Sequence, residues 1–321
     1  MRVLVTGMGG ELGTRVAQLL EEEPSVDEIA GFDFVPPRRR LRRSVFRRID
    51  PRDRDRLVDF VTEFAPDAVA HFGSYEPDSR MSPREAVAAT EACTVHALGA
   101  AARAGRLERI AVRSGVVVYG RGRAHPLMPD EDAPIAPTTP WGKMCMDVEA
   151  VAAGIGRRHD VMVAALRFGP IAGSHVPSPL GRLLRLPAVP VPALGDPPFS
   201  MLDRGDGARA MVQALMRGYE GALNVVGPGA TSPWQAVRFG NRVPVPVLGP
   251  GWSAARRVAE FLGAPVPDHI VELLRLGRTA DGNRAVEELD LGFMRPTQDV
   301  LADLYEWATV TPIPRTTQQV A

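Results

Sequence analysis

Apolar residues in the first half of the chain form short runs, separated by stretches in which they recur every third or fourth position. That alternation of buried strands with amphipathic helices predicts a parallel sheet covered by helices. Arg2 to Thr6 reads as strand one, and Glu11 to Glu23, with Leu12, Val16, Leu19 and Leu20 on one stripe, as helix one. Glu28 to Asp33 and Val45 to Ile49 read as strands two and three, and Arg54 to Phe64 as a helix. Ala68 to Phe72 is a further buried strand, and an Ala-rich helix follows from about Pro83 to Ala104. Ile110 to Arg113 and Val161 to Arg167 complete six strands, with a helix over Trp141 to Arg157 between them. The predicted class is α/β, a Rossmann doubly wound parallel sheet with a smaller C-terminal substrate-binding lobe.

After Arg167 the pattern changes. Residues 170 to 200 are proline-rich, with one short helix from Leu180 to Arg185. Asp206 to Arg217 reads as a helix and Ala222 to Val226 as a strand able to rejoin the sheet; residues 253 to 309 are mainly helical. This divides the chain into a dinucleotide-binding part (1–169 and 202–228), a lobe for substrate or partner (170–201 and 229–309) and a flexible tail (310–321).

Composition narrows the function classes. Lys plus Arg and Asp plus Glu are 38 each, so no net field attracts nucleic acid or an anionic membrane. Ten arginines between Arg38 and Arg56 are interspersed with three aspartates, and Lys143 is the single lysine of the chain. No apolar run approaches the ~18 residues needed to span a bilayer, and the chain opens directly on a strand. Cys93 and Cys145 read as reduced thiols, and the expected location is the cytoplasm. No spacing of His, Cys or acidic residues suggests a metal site.

The chemistry-bearing motif is Gly7-Met8-Gly9-Gly10-Glu11-Leu12-Gly13 between strand one and helix one. Gly7 suits a tight turn, Gly10 a close approach of backbone to pyrophosphate, and Gly13 close packing of helix on strand, with the helix N-terminus facing the negative charge. Asp33 ends strand two 20 residues after Gly13, where a carboxylate accepts both ribose hydroxyls. A 2′-phosphate would be repelled there, so NAD is favoured over NADP; Arg38 or Arg39 is the feature that would reverse the choice.

With these motifs the sequence resembles the extended short-chain dehydrogenase/reductase superfamily, in its NAD-dependent epimerase/dehydratase branch. The resemblance also rests on Asp50 after strand three, Ala70-His71-Phe72-Gly73-Ser74, Val117-Val118-Tyr119-Gly120, Asp130-Glu131-Asp132, Leu166 to Pro170, Asp206, Leu223-Asn224-Val225 and Leu289 to Pro296. It implies that Asp50 contacts adenine and that Phe72 and Gly73 border the cofactor. It also implies a homodimer formed through the helices near Pro83 to Ala104 and Trp141 to Arg157.

The resemblance fails at the chemistry. The family uses a Tyr whose pKa is lowered by a Lys four residues later, with a Ser or Thr hydroxyl fixing the substrate oxygen. Aligning Pro140-Trp141-Gly142 with the family's Pro-Tyr-Gly puts Trp141 in the tyrosine position, Cys145 in the lysine position and Gly115 in the hydroxyl position. Lys143 precedes the expected place by two residues, about 200° around a helix, and so faces elsewhere. The candidate replacements are Tyr75, the preferred acid, with His71 and Ser114. On the substrate side, the resemblance implies a diphosphate-clamping arginine in the segment before Asp206, where Gly195 to Leu202 offers Phe199 and apolar neighbours instead; with Pro170 and the apolar residues from Leu180 to Val191, the lobe suits an apolar ligand or a protein or lipid surface.

Two readings stay open. One is an NAD(P)-binding, redox-deficient sensor, scaffold or regulator. The other is a non-standard NAD-dependent epimerase, dehydratase, isomerase or reductase acting on an apolar or natural-product-like substrate.

Overall fold

The central strands are apolar on both faces, as strands buried between two helical layers must be. In the computed structural model, which describes residues 1–77, 81–121, 126–174 and 176–306, they form a seven-stranded sheet. The strands are β1 (Arg2–Thr6), β2 (Glu28–Asp33), β3 (Val45–Arg48), β4 (Ala68–His71), β5 (Arg109–Gly115), β6 (Met162–Phe168) and, after three further strands, β10 (Gly221–Val225). All pairs are parallel, in the order β10-β6-β5-β4-β1-β2-β3. The strand predicted over Ala222 to Val226 thus rejoins the sheet and makes the seventh member. Chain direction reverses across β1, which pairs with β2 on one side and β4 on the other, so a crevice opens at their carboxyl ends.

Helix α1 (Glu11–Leu20) is three residues shorter than its apolar stripe suggests. Pro24 disfavours helix at the residue before it, and the chain leaves through two tighter i→i+3 bonds, Glu22 N–H to Leu19 and Glu23 N–H to Leu20. Helix α2 (Arg54–Phe64) has the predicted bounds and is capped by the Asp53 side chain. The long helix expected from Pro83 to Ala104 is divided: α3 (Pro83–Cys93), opened by a Ser82/Glu85 capping box, passes through a π-turn at Thr94–Leu98 into α4 (Gly99–Arg103). Helix α5 (Pro140–His159) begins at the Thr139 cap.

After β6 come β7 (Ile171–Ala172), α6 (Pro179–Leu184), β8 (Ala188–Pro192) and β9 (Leu202–Asp203). Helix α7 (Arg204–Arg217) then packs against α1 beside the main sheet. After β10 come α8 (Pro233–Phe239), β11 (Val243–Val247), α9 (Gly251–Phe261), α10 (Asp268–Leu276), α11 (Asn283–Glu288) and α12 (Thr297–Glu306). Two small parallel ladders, β8 with β11 and β7 with β9, were not visible in the apolar pattern. The lobe has its own core, including Leu183, Val191, Phe199, Ile270 and Leu301. The tail predicted from 310 lies outside the described residues.

Candidate functional site

Two openings share the carboxyl edge of the sheet. The first is a cleft of about 420 Å³ over β1, β2 and β4, lined among others by Gly7, Gly10, Asp33, Arg38, Phe72 and Tyr75. That volume lies within the range of small-molecule sites. Gly7 has φ +64°, and a side chain there would lie 2.6 Å from the Phe72 carbonyl oxygen. A Cβ at Gly13 would come within 2.2 Å of the Gly7 carbonyl oxygen, so this position is the seam between helix and loop. At Gly9 the close neighbour is the Val35 carbonyl, whereas Gly10 meets only the Gly7 oxygen, at 3.3 Å, and is open on the cleft side. Gly10 caps α1 without a side-chain hydrogen bond, which suits an approaching phosphate.

Asp33 is buried at the cleft wall. Burial pushes its carboxyl up to about 6, although N–H groups of Phe34, Gly9 and Gly10 and the Tyr75 hydroxyl pull in the other direction. Beyond it the wall is Phe34, with the Arg52 guanidinium 5.5 Å over its ring. Neither Phe34 nor Arg52 was singled out by sequence reasoning.

Several expected cofactor residues have other employment. The Asp50 carboxylate is held by Arg52, 2.7 Å from Nη2, and is not part of the cleft lining. Glu11 turns away to pair with Arg204 at 3.2 Å, and the Leu12 side chain is buried in the core under the sheet. Gly73 packs on Cys93, where a Cβ would lie 2.2 Å from its sulfur, and its N–H donates to Thr6 Oγ1. Arg38 does line the cleft, with its backbone N–H on Thr14.

The replacement acids proposed from sequence are not gathered at the far end of the sheet. His71 is wholly buried, with Nδ1 2.9 Å from Thr6 Oγ1 and Nε2 3.1 Å from Thr94 Oγ1. Thr94 donates its own proton to the Thr90 carbonyl, so it accepts from Nε2–H. Thr6 already accepts the Phe72 and Gly73 N–H groups, so its hydroxyl donates to Nδ1. Burial pushes the ring down to about 3, and His71 is therefore a neutral strut. Tyr75 stacks edge-on against Phe34 and points its hydroxyl at Asp33 Oδ1, 3.4 Å away, and it does not line the cavity in which Trp141 stands. Burial raises its phenol well above the ordinary value. Ser114 donates to Glu149 in a buried ladder that continues through Arg167 to Tyr119 and Asn224. Adjacent strand residues face opposite ways, so Ser114 is directed away from the face that Gly115 presents.

The second opening is a cavity of about 60 Å³ between the ends of β5 and β6 and the lobe. Gly115, Trp141 and Pro170 line it. Cys145 lies directly beneath, its sulfur 3.9 Å from where a Gly115 Cβ would be; burial raises its thiol, which stays protonated and inert. Phe199 does not reach the cavity. It is fully buried in the lobe core, its backbone bridging Thr231 and Arg278.

Four ionisable residues that the sequence pattern did not bring forward stand in the wall: Glu76, Arg113, His269 and Arg278. Glu76 Oε1 is 2.9 Å from His269 Nε2, and its other oxygen is 3.7 Å from Arg113. Burial pushes the Glu76 carboxyl up, but His269 and Arg113 outweigh it and hold the group below its usual value. The Trp141 ring lies between them, 5.7 Å from the His269 ring and 5.7 Å from the Arg113 guanidinium. Arg278 pairs with Glu272 through Nη2, while its buried Nη1 has no hydrogen-bond partner among the described residues. Such an unmatched donor costs roughly 1–3 kcal/mol. A charged residue within an apolar central strand, as Arg113 is, was the one local signal available. Lys143 lies outside this cavity, in a surface groove between α3 and α5 with Val87, Val95 and Asp147.

Among the described residues no cluster of potential metal ligands occurs, and no helix is long and apolar enough to cross a membrane.

A sequence model described as the NAD dependent epimerase/dehydratase family matches residues 3–226. An uncharacterised protein of Mycobacterium tuberculosis is 29% identical over 335 residues, covering 97% of this chain and 85% of that protein. Among solved structures, UDP-glucose 4-epimerase from Brucella ovis in complex with NAD superposes with a TM-score of 0.73 at 20% identity, over 95% of this chain and 97% of that one. A UDP-glucose 4-epimerase from Thermotoga maritima with UDP-glucose has a TM-score of 0.73 at 17% identity, over 96% and 98% of the two chains. At such identities the structural likeness shows the fold.

Proposed function

The chain belongs to the NAD dependent epimerase/dehydratase family, and from that premise we propose that it binds NAD without the family's tyrosine–lysine proton relay, serving as a ligand-responsive sensor, scaffold or regulator. In this reading residues 1–169 and 202–228 hold the dinucleotide and residues 170–201 and 229–309 the second ligand. The observation that carries it is the wall of the inner cavity: among the described residues, no tyrosine and no lysine lines it. The indole of Trp141 is a donor only, the Cys145 thiol is held protonated by burial, and Gly115 has no hydroxyl.

The cleft suits the dinucleotide. Gly10 is bare on that side, the first turn of α1 is free of a side-chain cap, and Asp33 is placed to accept ribose hydroxyls. Bound NAD would supply a hydride carrier. Asp33 argues for NAD over NADP, against the pull of Arg38. The exposed groove between α3 and α5, with half-exposed Val95, supports the homodimer that the family resemblance implies.

A specific observation favours the enzymatic alternative, an NAD-dependent epimerase, dehydratase, isomerase or reductase with a rewired site. The Glu76–His269 pair has the form of an oriented imidazole, a carboxylate fixing one ring nitrogen. Calorimetric titration of the full chain with NAD and NADP, followed by an absorbance assay for NADH on a panel of sugar nucleotides and alcohols, separates the two. The sensor reading expects stoichiometric NAD, weaker NADP and no turnover. Steady turnover abolished by both Gly10→Val and His269→Asn would overturn it in favour of the enzyme.

A further inference from the structure

Arg278 is 4% exposed, lines the inner cavity, and carries a guanidinium nitrogen with no partner among the described residues. We propose that this cavity is a binding site for an organic monocarboxylate, its charge met by Arg278 and its apolar body lying along Trp141, Ile270 and Leu273. This rests on the reading of the cavity as the second ligand site, and adds the chemistry of its occupant.

Charge bookkeeping supports a single negative charge. Around the cavity stand three guanidinium groups, Arg113, Arg278 and the neighbouring Arg121, whose side chain donates to the carbonyls of Gly277 at 3.0 Å and Thr279 at 3.2 Å on either side of Arg278. Against them are two carboxylates, Glu76 on Arg113 and His269, and Glu272 on Arg278 and Thr138. Counting the guanidinium and carboxylate groups alone, three minus two leaves one positive charge, which a carboxylate balances and a phosphate monoester dianion overshoots. Glu272 occupies Nη2, so the free edge of Arg278 is Nη1, suited to one carboxylate oxygen. The cavity's 60 Å³ is far below the ~300 Å³ at which pockets begin to enclose whole drug-sized ligands, which argues against a sugar nucleotide and for a small acid. Leu180, Ile270 and Leu273 complete an apolar wall opposite the charges.

The test is calorimetry on the full chain with propionate and benzoate, against inorganic phosphate and the neutral benzyl alcohol, with NAD binding measured on every sample. The expected result is saturable binding of a carboxylate, weakened at least tenfold in Arg278→Met with NAD affinity unchanged. Should Arg278→Met not fold, Arg278→Met combined with Glu272→Leu removes both buried charges and is expected to show the same loss. Failure of both carboxylates to bind wild type, equal binding to the variant, or Arg278-dependent binding of phosphate alone would each overturn the assignment. Carboxylate binding without NAD binding would instead overturn the proposed function and leave this site standing.

Discussion

The cleft over β1, β2 and β4 and the cavity over β5 and β6 open on the same edge of one sheet, yet they are made of different material. Gly7 to Gly13 and Asp33 shape the cleft largely through backbone: carbonyl contacts, free N–H groups and one buried carboxylate. Side chains from five separated stretches, those of Glu76, Arg113, Trp141, Pro170 and the His269–Arg278 segment, shape the cavity. A site made of backbone geometry is fixed once the fold is fixed. A site made of side chains can be rebuilt without disturbing the strands beneath it, and the proposed loss of the family's relay at Gly115, Trp141 and Cys145 would be such a rebuilding.

The most disruptive way to probe that contrast is Gly13→Val. A Cβ there already meets backbone at 2.2 Å, so the variant should lose on the order of 3 kcal/mol or more and fail to fold at physiological temperature, as read by denaturant unfolding. Gly10→Val, open on the cleft side, should keep the fold and lose NAD binding. Next comes Asp33→Asn, expected to weaken NAD by roughly 10- to 100-fold, the worth of hydrogen bonds to a charged acceptor, while the inner cavity keeps its ligand.

The same residue gives a pH signature. Its folded-state value of about 6 lies above the ordinary 3.8, so the folded protein holds an extra proton between them. Stability contributed by this group is therefore full below about pH 4 and is lost as pH rises through about 6, in total roughly 3 kcal/mol. The stability of Asp33→Asn relative to wild type should rise from about pH 4 to 6 and stay level above, measured by urea unfolding. NAD affinity of the wild type should fall as pH drops below about 6, by up to tenfold per unit, because the protonated carboxyl accepts ribose hydroxyls less well.

Smaller effects follow. Tyr75→Phe removes a long hydrogen bond to Asp33 and should change NAD affinity by only a few-fold, which separates Tyr75 from any role as the reacting acid. Lys143→Ala should leave stability within about 0.5 kcal/mol and both ligand affinities unchanged, because the lysine lies on the outer face of α5.

Legibility in the sequence followed the same divide. The strand positions, the glycine turn, Asp33 and the outward position of Lys143 came from local pattern, and so did the placing of Trp141 at the inner cavity. The π-turn at Thr94–Leu98 left no mark on the apolar pattern, and Thr94 within it bonds a residue distant in sequence, His71. For His71 and Tyr75 the reason is related: residues at the end of β4 and just after it lie close to β1, but what their side chains meet depends on Thr6, Thr94 and Asp33. Phe199 was legible as apolar and not as core. Glu76 meets His269, 193 residues on, only after the chain folds back, and no spacing across such a separation encodes it.

The central claim, an intact cofactor cleft beside a cavity without the family's relay, is most directly tested by one calorimetric comparison of NAD binding near neutral pH in wild type, Gly10→Val and His269→Asn. The account predicts one NAD per chain in wild type and in His269→Asn, and none in Gly10→Val despite a normal unfolding transition. Absence of saturable NAD binding in the wild type, or equal binding in all three, would contradict it.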